Sequence, residues 1–357
     1  LLPSKDYLNL RLCGEAAASI DSITLFWVTD NRDVNDVRYD DGLIARLGLD
    51  RDKLPPLRAP TDVLAHVLPA VAEELGLPSG VPVVCGSPDH QSALVGSGAV
   101  RDFEAHLYVG TSSWVQCPVP FKKTDVKHSI ASLPSAIPGR YQAVNEQDIA
   151  GGALSFLVEN VAYHGGRLLT GEPPENPYQV LDAMAAAAPP GAGKVLATPW
   201  LNGERSPVDD ESLRASLFNV SHTTTADHIA RAVLEGVAYN TRWNFQYVER
   251  FVKRRLDPIR FVGGGARSDL WCQIMADVLD RPIHRVEDPI EANARGAALI
   301  ASVGLGHIGF EQIPDLVEVD RVFSPNSENR TLYDDLFDAF LDLYKATRSL
   351  HHKLNRG

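Results

Sequence analysis

Cysteine is scarce in this sequence: Cys13, Cys85, Cys117 and Cys272 are the four in 357 residues. None stands in a C-x-x-C pair or beside histidines at zinc spacing, so no disulfide framework or zinc finger is read from them, and they fit the reduced, buried thiols of a cytoplasmic protein. Positive charge is also short. Lys and Arg number 34 against 46 Asp and Glu, a net charge of −12, which argues against a general nucleic-acid or anionic-membrane binder. Any anionic ligand must then be held by a local nest of donors. No apolar run reaches the length of a membrane span, and no signal peptide, internal repeat or low-complexity tract is visible. His66, His106, His222 and His284 show no metal spacing and read as surface or satisfied polar residues. The opening LLPSKDYL has no methionine and begins in mid-element, so a fragment, or a chain without its start, is expected.

What is present is enough apolar residue, 44% against 22% charged, to bury substantial cores in two α/β regions. The organising stretch is FVGGGARSDLWCQIMADVLD at 261–280. Its short apolar strand, 259–262, breaks at Gly263, Gly264 and Gly265, where a backbone without Cβ atoms turns tightly. Ser268 stands at the N-cap, Asp269 lies in the first turn, and Trp271, Ile274, Met275, Val278 and Leu279 follow at helical spacing until Pro282. On the glycines alone, a nucleotide site and a plain β-to-α turn fit equally. A dinucleotide fingerprint does not fit, because Ser268 replaces its third glycine and no second strand ends in an acid.

Along the chain the pattern predicts helices at 4–13, 40–47, 62–75 and 149–163, and strands at 23–28, 81–86, 105–110, 140–145 and 195–201. A long helix over 226–251 is capped by Thr224 with Asp227, and Arg231 and Glu235 pair at i, i+4. The small residues Gly296, Ala297 and Ala298 allow close packing of a later helix. The last helix, with Tyr333, Phe337, Phe340 and Tyr344, is expected to pack on the surface.

Three motifs stand in order: GSPDHQSALVGSGA at 86–99, YVGTSSW at 108–114 and GGGARSDLWCQIMADVLDRPI at 263–283. Together with KDYLNLRLCGE at 5–15, LNGERSP at 201–207, RAVLEGVAYN at 231–240 and ARGAALIA at 294–301, they resemble the FGGY carbohydrate kinases, most closely the xylulokinase-like branch. The resemblance implies a two-domain actin-like, ribonuclease-H-like ATPase fold. Residues 1–100 would be the remainder of a truncated sugar-binding domain, and 101–357 the nucleotide-binding domain. It implies an ATP-dependent, Mg2+-assisted phosphorylation of a ketose or polyol, with a pentulose such as xylulose leading. The partner is a small sugar, and a homodimer is admitted.

On the residues alone Asp89 reads as a helix cap; the resemblance makes it the catalytic base. His90 and Gln91, where many relatives carry Asn after the Asp, become sugar contacts. Gly110, Thr111 and Ser112 would cradle phosphates without lysines, and Gly264, Gly265, Ala266, Ser268 and Gln273, with Asn293 across the turn, map onto the adenosine site. Glu204 and Arg205 read equally as a buried ion pair or as ligand contacts. No residue is assigned to a metal. The family's first phosphate loop, D-x-G-T or D-x-G-S, is absent, since Asp41-Gly42 is followed by Leu43 in a helix. The chain alone is therefore expected to turn over no sugar, with 101–357 still binding nucleotide weakly. The alternative is a non-catalytic nucleotide or sugar sensor, which a start codon at residue 1 would favour.

Overall fold

A computed structural model describes residues 1–162 and 174–355. Its centre is an eight-stranded mixed sheet in the order 319–323, 283–286, 259–262, 105–109, 113–119, 141–144, 130–134, 124–125. Ile259–Val262 pairs in parallel with both Ile283–Val286 and Ala105–Val109, and the remaining pairings are antiparallel. The strand at the heart of the glycine motif is thus flanked on both sides and buried, which explains its apolar sequence.

The long helix, Ala226–Val252, carries the main core with the last helix, Arg330–Asn355. Trp200, Tyr239, Phe245, Tyr333, Phe337 and Phe340 are all buried there. The last helix is therefore a core element, because its aromatic stripe meets Trp200, Tyr239 and Trp243 instead of lying on the surface. The predicted Arg231–Glu235 pair forms at 2.7 Å, and the Tyr333 hydroxyl also donates to Glu235, at 2.9 Å. The N-cap sits one residue later than expected. Thr225 and His228 close on each other at 2.8 Å, while the Thr224 hydroxyl is taken by the Ser221 N–H.

Ahead of the large sheet the chain forms helices and two-stranded pairs, including Val63–His66 with Pro82–Val84. Two expectations fail here. The β-rich ITLFWV at 23–28 is helical turn, Ile20–Ile23 followed by Thr24–Phe26, because Ser22 and Thr24 hydroxyls bond the carbonyls of Ser19 and Ile20. The predicted helix 62–75 divides into the strand 63–66 and the helix Pro69–Leu75, with Pro69 in the first turn, where a missing N–H costs nothing. Elsewhere strand 195–201 shortens to Leu196–Thr198, ahead of Pro199. Helix 149–163 is regular only over Gly152–Phe156 and widens to a π-turn over Leu157–Ala162, its last residue lying outside the described ones.

A close helix contact ties the part ahead of the large sheet to the rest of the chain. Asp89–Gly96 lies against Ala292–Gly304 so closely that a Cβ on Gly96 would meet the Ala292 carbonyl oxygen at 1.8 Å, and one on Gly296 the Ser92 oxygen at 1.8 Å. Gly296 makes this approach, whereas Ala297 and Ala298 are exposed.

Candidate functional site

The strand Pro82–Val84 delivers Asp89 to the cleft. Lys5 and Asn9, from the KDYLNLR helix, both donate to the Cys85 carbonyl (3.1 and 2.7 Å), and Ser87 donates to buried Asp21 at 2.6 Å. Burial pushes the Asp21 carboxyl up. The chain leaving Ser87 is thereby fixed, and Asp89 becomes the first residue of its helix, after Pro88. Its side chain is exposed, bonded to the His90 N–H at 2.7 Å, and paired with no cation among the described residues. A capping aspartate would bond further along the first turn.

The two residues after it point inward. Gln91 is fully buried, donating to the Pro134 carbonyl at 2.8 Å and accepting from the Ala136 N–H at 3.2 Å. Both ring nitrogens of His90 are buried without a partner among the described residues, and desolvation pulls its pKa down. Neither side chain is brought to the open cleft. His106 is likewise fully buried, which rules out the surface half of its reading as a surface or satisfied polar residue. Trp114 donates to its Nε2 at 3.3 Å, and burial lowers its pKa to about 3, so it stays neutral.

Tyr108 lies against both glycine turns. Its ring stacks on Trp114 with centroids 4.1 Å apart, and Asp89 adds to burial in raising its hydroxyl pKa. A Cβ on Gly110 would meet this ring at 2.7 Å, and one on Gly263 would meet it at 3.2 Å and the Val109 carbonyl oxygen at 2.6 Å. Gly263 also has φ +92°, so position 263 requires glycine on both counts. Sequence reasoning passed over Tyr108, although it lies inside the YVGTSSW motif.

Beyond Tyr108 opens a cavity of about 420 Å3. Gly110 and Thr111 form one edge, Gly264, Gly265 and Ser268 another, and Tyr178, Gln179 and Asp182 the facing wall. Five of the expected nucleotide residues, Gly110, Thr111, Gly264, Gly265 and Ser268, therefore meet around one space. Gly264 is open to it: a Cβ there would touch nothing within 4 Å. Ser268 caps its helix by accepting from Trp271 N–H at 2.9 Å. The other four lie off the cavity lining. Ser112 is the next residue along the loop, and its carbonyl takes the Gly110 N–H at 2.9 Å. That leaves the Thr111 and Ser112 N–H groups unbonded among the described residues. Ala266 is fully buried, its carbonyl facing Cys272. Gln273 is spent on Asp277 (2.7 Å) and the Ser324 carbonyl (2.8 Å). Asn293 keeps a buried Oδ1 without a partner among the described residues.

The GERSP loop is fastened to the same edge. Gln147 exchanges two backbone bonds with Ser113, and Gly151 and Gly152 donate to Gly110 and Thr111 carbonyls at 2.8 and 3.0 Å. Arg205 bonds Glu146 and lies 3.1 Å from Asp148, so the ion pair with Glu204, one of the two readings of this loop, does not form. Glu204 is buried instead, accepting from Asn240 at 2.5 Å and from the Asp148 and Arg205 N–H groups, and desolvation pushes its pKa up to about 8. Glu146 is also raised, mainly by burial, with Asp89 among the contributing charges. No group of three metal-ligating side chains forms among the described residues.

Comparison with known proteins gives a consistent picture. Residues 105–305 match the C-terminal domain, and 1–96 the N-terminal domain, of the FGGY family of carbohydrate kinases. A xylulose kinase from Staphylococcus epidermidis is 32% identical over 303 residues, 84% of this chain and 58% of that protein. A gluconokinase from Bacillus licheniformis is 27% identical, over 86% of this chain and 60% of its own. Among solved structures, the xylulose kinase from Rhodospirillum rubrum superposes with a TM-score of 0.79 at 27% identity, covering 98% of this chain and 68% of that one. The chain thus spans somewhat under two thirds of the length of the first relatives it matches.

Proposed function

The chain belongs to the FGGY family of carbohydrate kinases, with the actin-like, two-domain α/β ATPase fold of that family, and from that membership we propose that it transfers the γ-phosphoryl group of ATP to a sugar hydroxyl. The observation that carries the reading is the exposed carboxylate of Asp89, paired with no cation among the described residues, together with the cavity between Gly110–Thr111 and Gly264–Gly265.

Phosphoryl transfer asks a protein chiefly for positioning and charge stabilisation. Asp89 accepts the proton of the attacking hydroxyl, standing on a helix that glycine-to-backbone packing holds in place. Thr111 and Ser112 offer free N–H groups to the outer phosphates. Adenosine lies along Gly264 and Gly265, where the lack of a side chain permits close approach, with Ser268 beside it. Ala266, Gln273 and Asn293 support this turn from behind, and His90 and Gln91 act on the sugar only through the position of Asp89. Magnesium fits a site of this kind when held by substrate phosphates and one or two carboxylates. Asp182 is the carboxylate on the cavity wall that would hold it. The bound ion would supply charge neutralisation on the phosphates.

The acceptor is a ketose or polyol, with a pentulose leading, because xylulose kinases and gluconokinases both stand among the relatives. Free, buried cysteines support a reducing compartment such as the cytoplasm. Among the described residues no helix is long and apolar enough to cross a membrane. The test is a panel of pentuloses, polyols and gluconate, with sugar phosphate followed by phosphorus NMR. ATP-dependent product from one of them supports the proposal and overturns the expectation, drawn from the absent first phosphate loop, that these 357 residues alone turn over no sugar. Nucleotide binding without product from any acceptor refutes it.

A further inference from the structure

On the far side of the GERSP loop lies a second cavity, of about 520 Å3, between the long helix and the last helix. Its lining holds four cations, Lys127, Arg250, Lys345 and Arg348, and no Asp or Glu. In a chain with net charge −12, that composition runs against the average of the surface. Arg348 and Lys345 each touch a carboxylate just outside the lining, Asp210 at 3.2 Å and Asp342 at 3.0 Å. Lys127 and Arg250 form no ion pair among the described residues. Arg250 lies instead over the ring of Tyr247, 5.0 Å from its centroid.

The walls are aromatic. His128 stacks on Tyr247 at 4.1 Å, and Trp243 meets Tyr344 at 4.8 Å. Such faces take the plane of a base or the C–H face of a sugar, while rim cations take an anion. The volume suits a molecule of mononucleotide or pentose-phosphate size. We propose that this pocket binds a phosphate monoester carried on a ring, at a site separate from the nucleotide cavity.

The pocket also has a physical connection to the cleft. Pro207 and Val208 line it, and Ser206 donates from its hydroxyl to the His128 carbonyl at 2.9 Å and from its N–H to the Glu146 carbonyl at 3.2 Å. A ligand pressing on this loop therefore acts on the segment that carries Arg205 and Glu146. The binding claim stands apart from the kinase reading.

Calorimetric titration of the chain with adenosine 5′-monophosphate, ribose 5-phosphate and inorganic phosphate tests it. With the nucleotide cavity filled by Gly264→Val, one or both esters should still bind one to one, more tightly than inorganic phosphate. Affinity should fall about tenfold or more in Lys127→Glu/Arg250→Glu, and also with added salt. Binding should survive in Gly264→Val, which alters only the nucleotide cavity. Which ester binds tells whether a base or the sugar face occupies the aromatic wall. The charge-reversed residues are exposed, and unchanged thermal melting checks their fold; Tyr344→Ala, which removes one wall, gives an uncharged second variant. Absence of ester binding, parity with inorganic phosphate, or loss in Gly264→Val but not in the charge-reversed protein would each overturn the proposal.

Discussion

Glu204 keeps a carboxyl in a place that disfavours its charge. Three hydrogen bonds reach it, yet burial outweighs them and raises its pKa from 4.5 to about 8. A raised folded-state pKa means the folded protein holds the proton more tightly than the unfolded chain. Its contribution is therefore fully present below about pH 4.5 and is lost as pH rises through about 8. Wild-type stability should decline across that window, relative to Glu204→Gln, by on the order of a few kcal/mol. Urea midpoints of both proteins at pH 5, 7 and 9 check this. Parallel curves would mean that Glu204 is charged throughout.

Gly264 provides a second test at the same scale. A Cβ there meets nothing, and its φ lies in the ordinary region; the positive φ belongs to Gly263. Gly264→Val should leave thermal melting within about 1 °C, yet weaken ATP binding tenfold or more by filling space that the ligand needs. Unchanged ATP affinity in the folded variant would remove adenosine from this turn.

Among the elements, the packing of Asp89–Gly96 against Ala292–Gly304 makes the strongest demand. Gly296→Val would drive a side chain into the Ser92 carbonyl, so the two helices must separate. A loss of about 3 kcal/mol or more is expected, since backbone cannot yield as a side-chain tip does. Chemical denaturation of the variant measures it, and a stability within 0.5 kcal/mol of wild type, roughly the level of an indifferent surface change, would show that the helices are not held this tightly.

The elements also show what the sequence could and could not reveal. The strand 259–262, the glycine turn and the Ser268 cap were legible because pattern, turn chemistry and capping agree over twenty residues. Residues 23–28 were not, since β-branched and aromatic side chains were overruled by serine and threonine bonds to nearby carbonyls. The cap at Thr225 was displaced by one residue because two threonines compete and the partner proved to be His228. At the site, the roles of Asp89 and the glycines came only through the family resemblance, since on the residues alone Asp89 reads as a helix cap and the glycines fit a plain turn equally well. Tyr178, Asp182 and Glu146 could not be read at all, because they arrive from separate segments that only the tertiary fold brings together.

At the scale of the whole molecule, the account places sugar chemistry at the junction of two regions. We place their boundary near residues 100 and 101, where the tight helix pair ends and the large sheet begins. Asp89 belongs to the first region and the nucleotide cavity to the second. The proposed reaction requires both to meet, and Asp89, the proposed base, is the one group whose chemistry cannot be supplied by shape alone. The measurement that tests this most directly is the steady-state kinetics of Asp89→Asn, with ATP affinity measured in parallel. The amide keeps the size and the bond to the His90 N–H but cannot take a proton. The account predicts that kcat falls by about a hundredfold or more while ATP binding stays within about twofold. Turnover near the wild-type rate would mean that Asp89 takes no proton in the reaction and would contradict the mechanism.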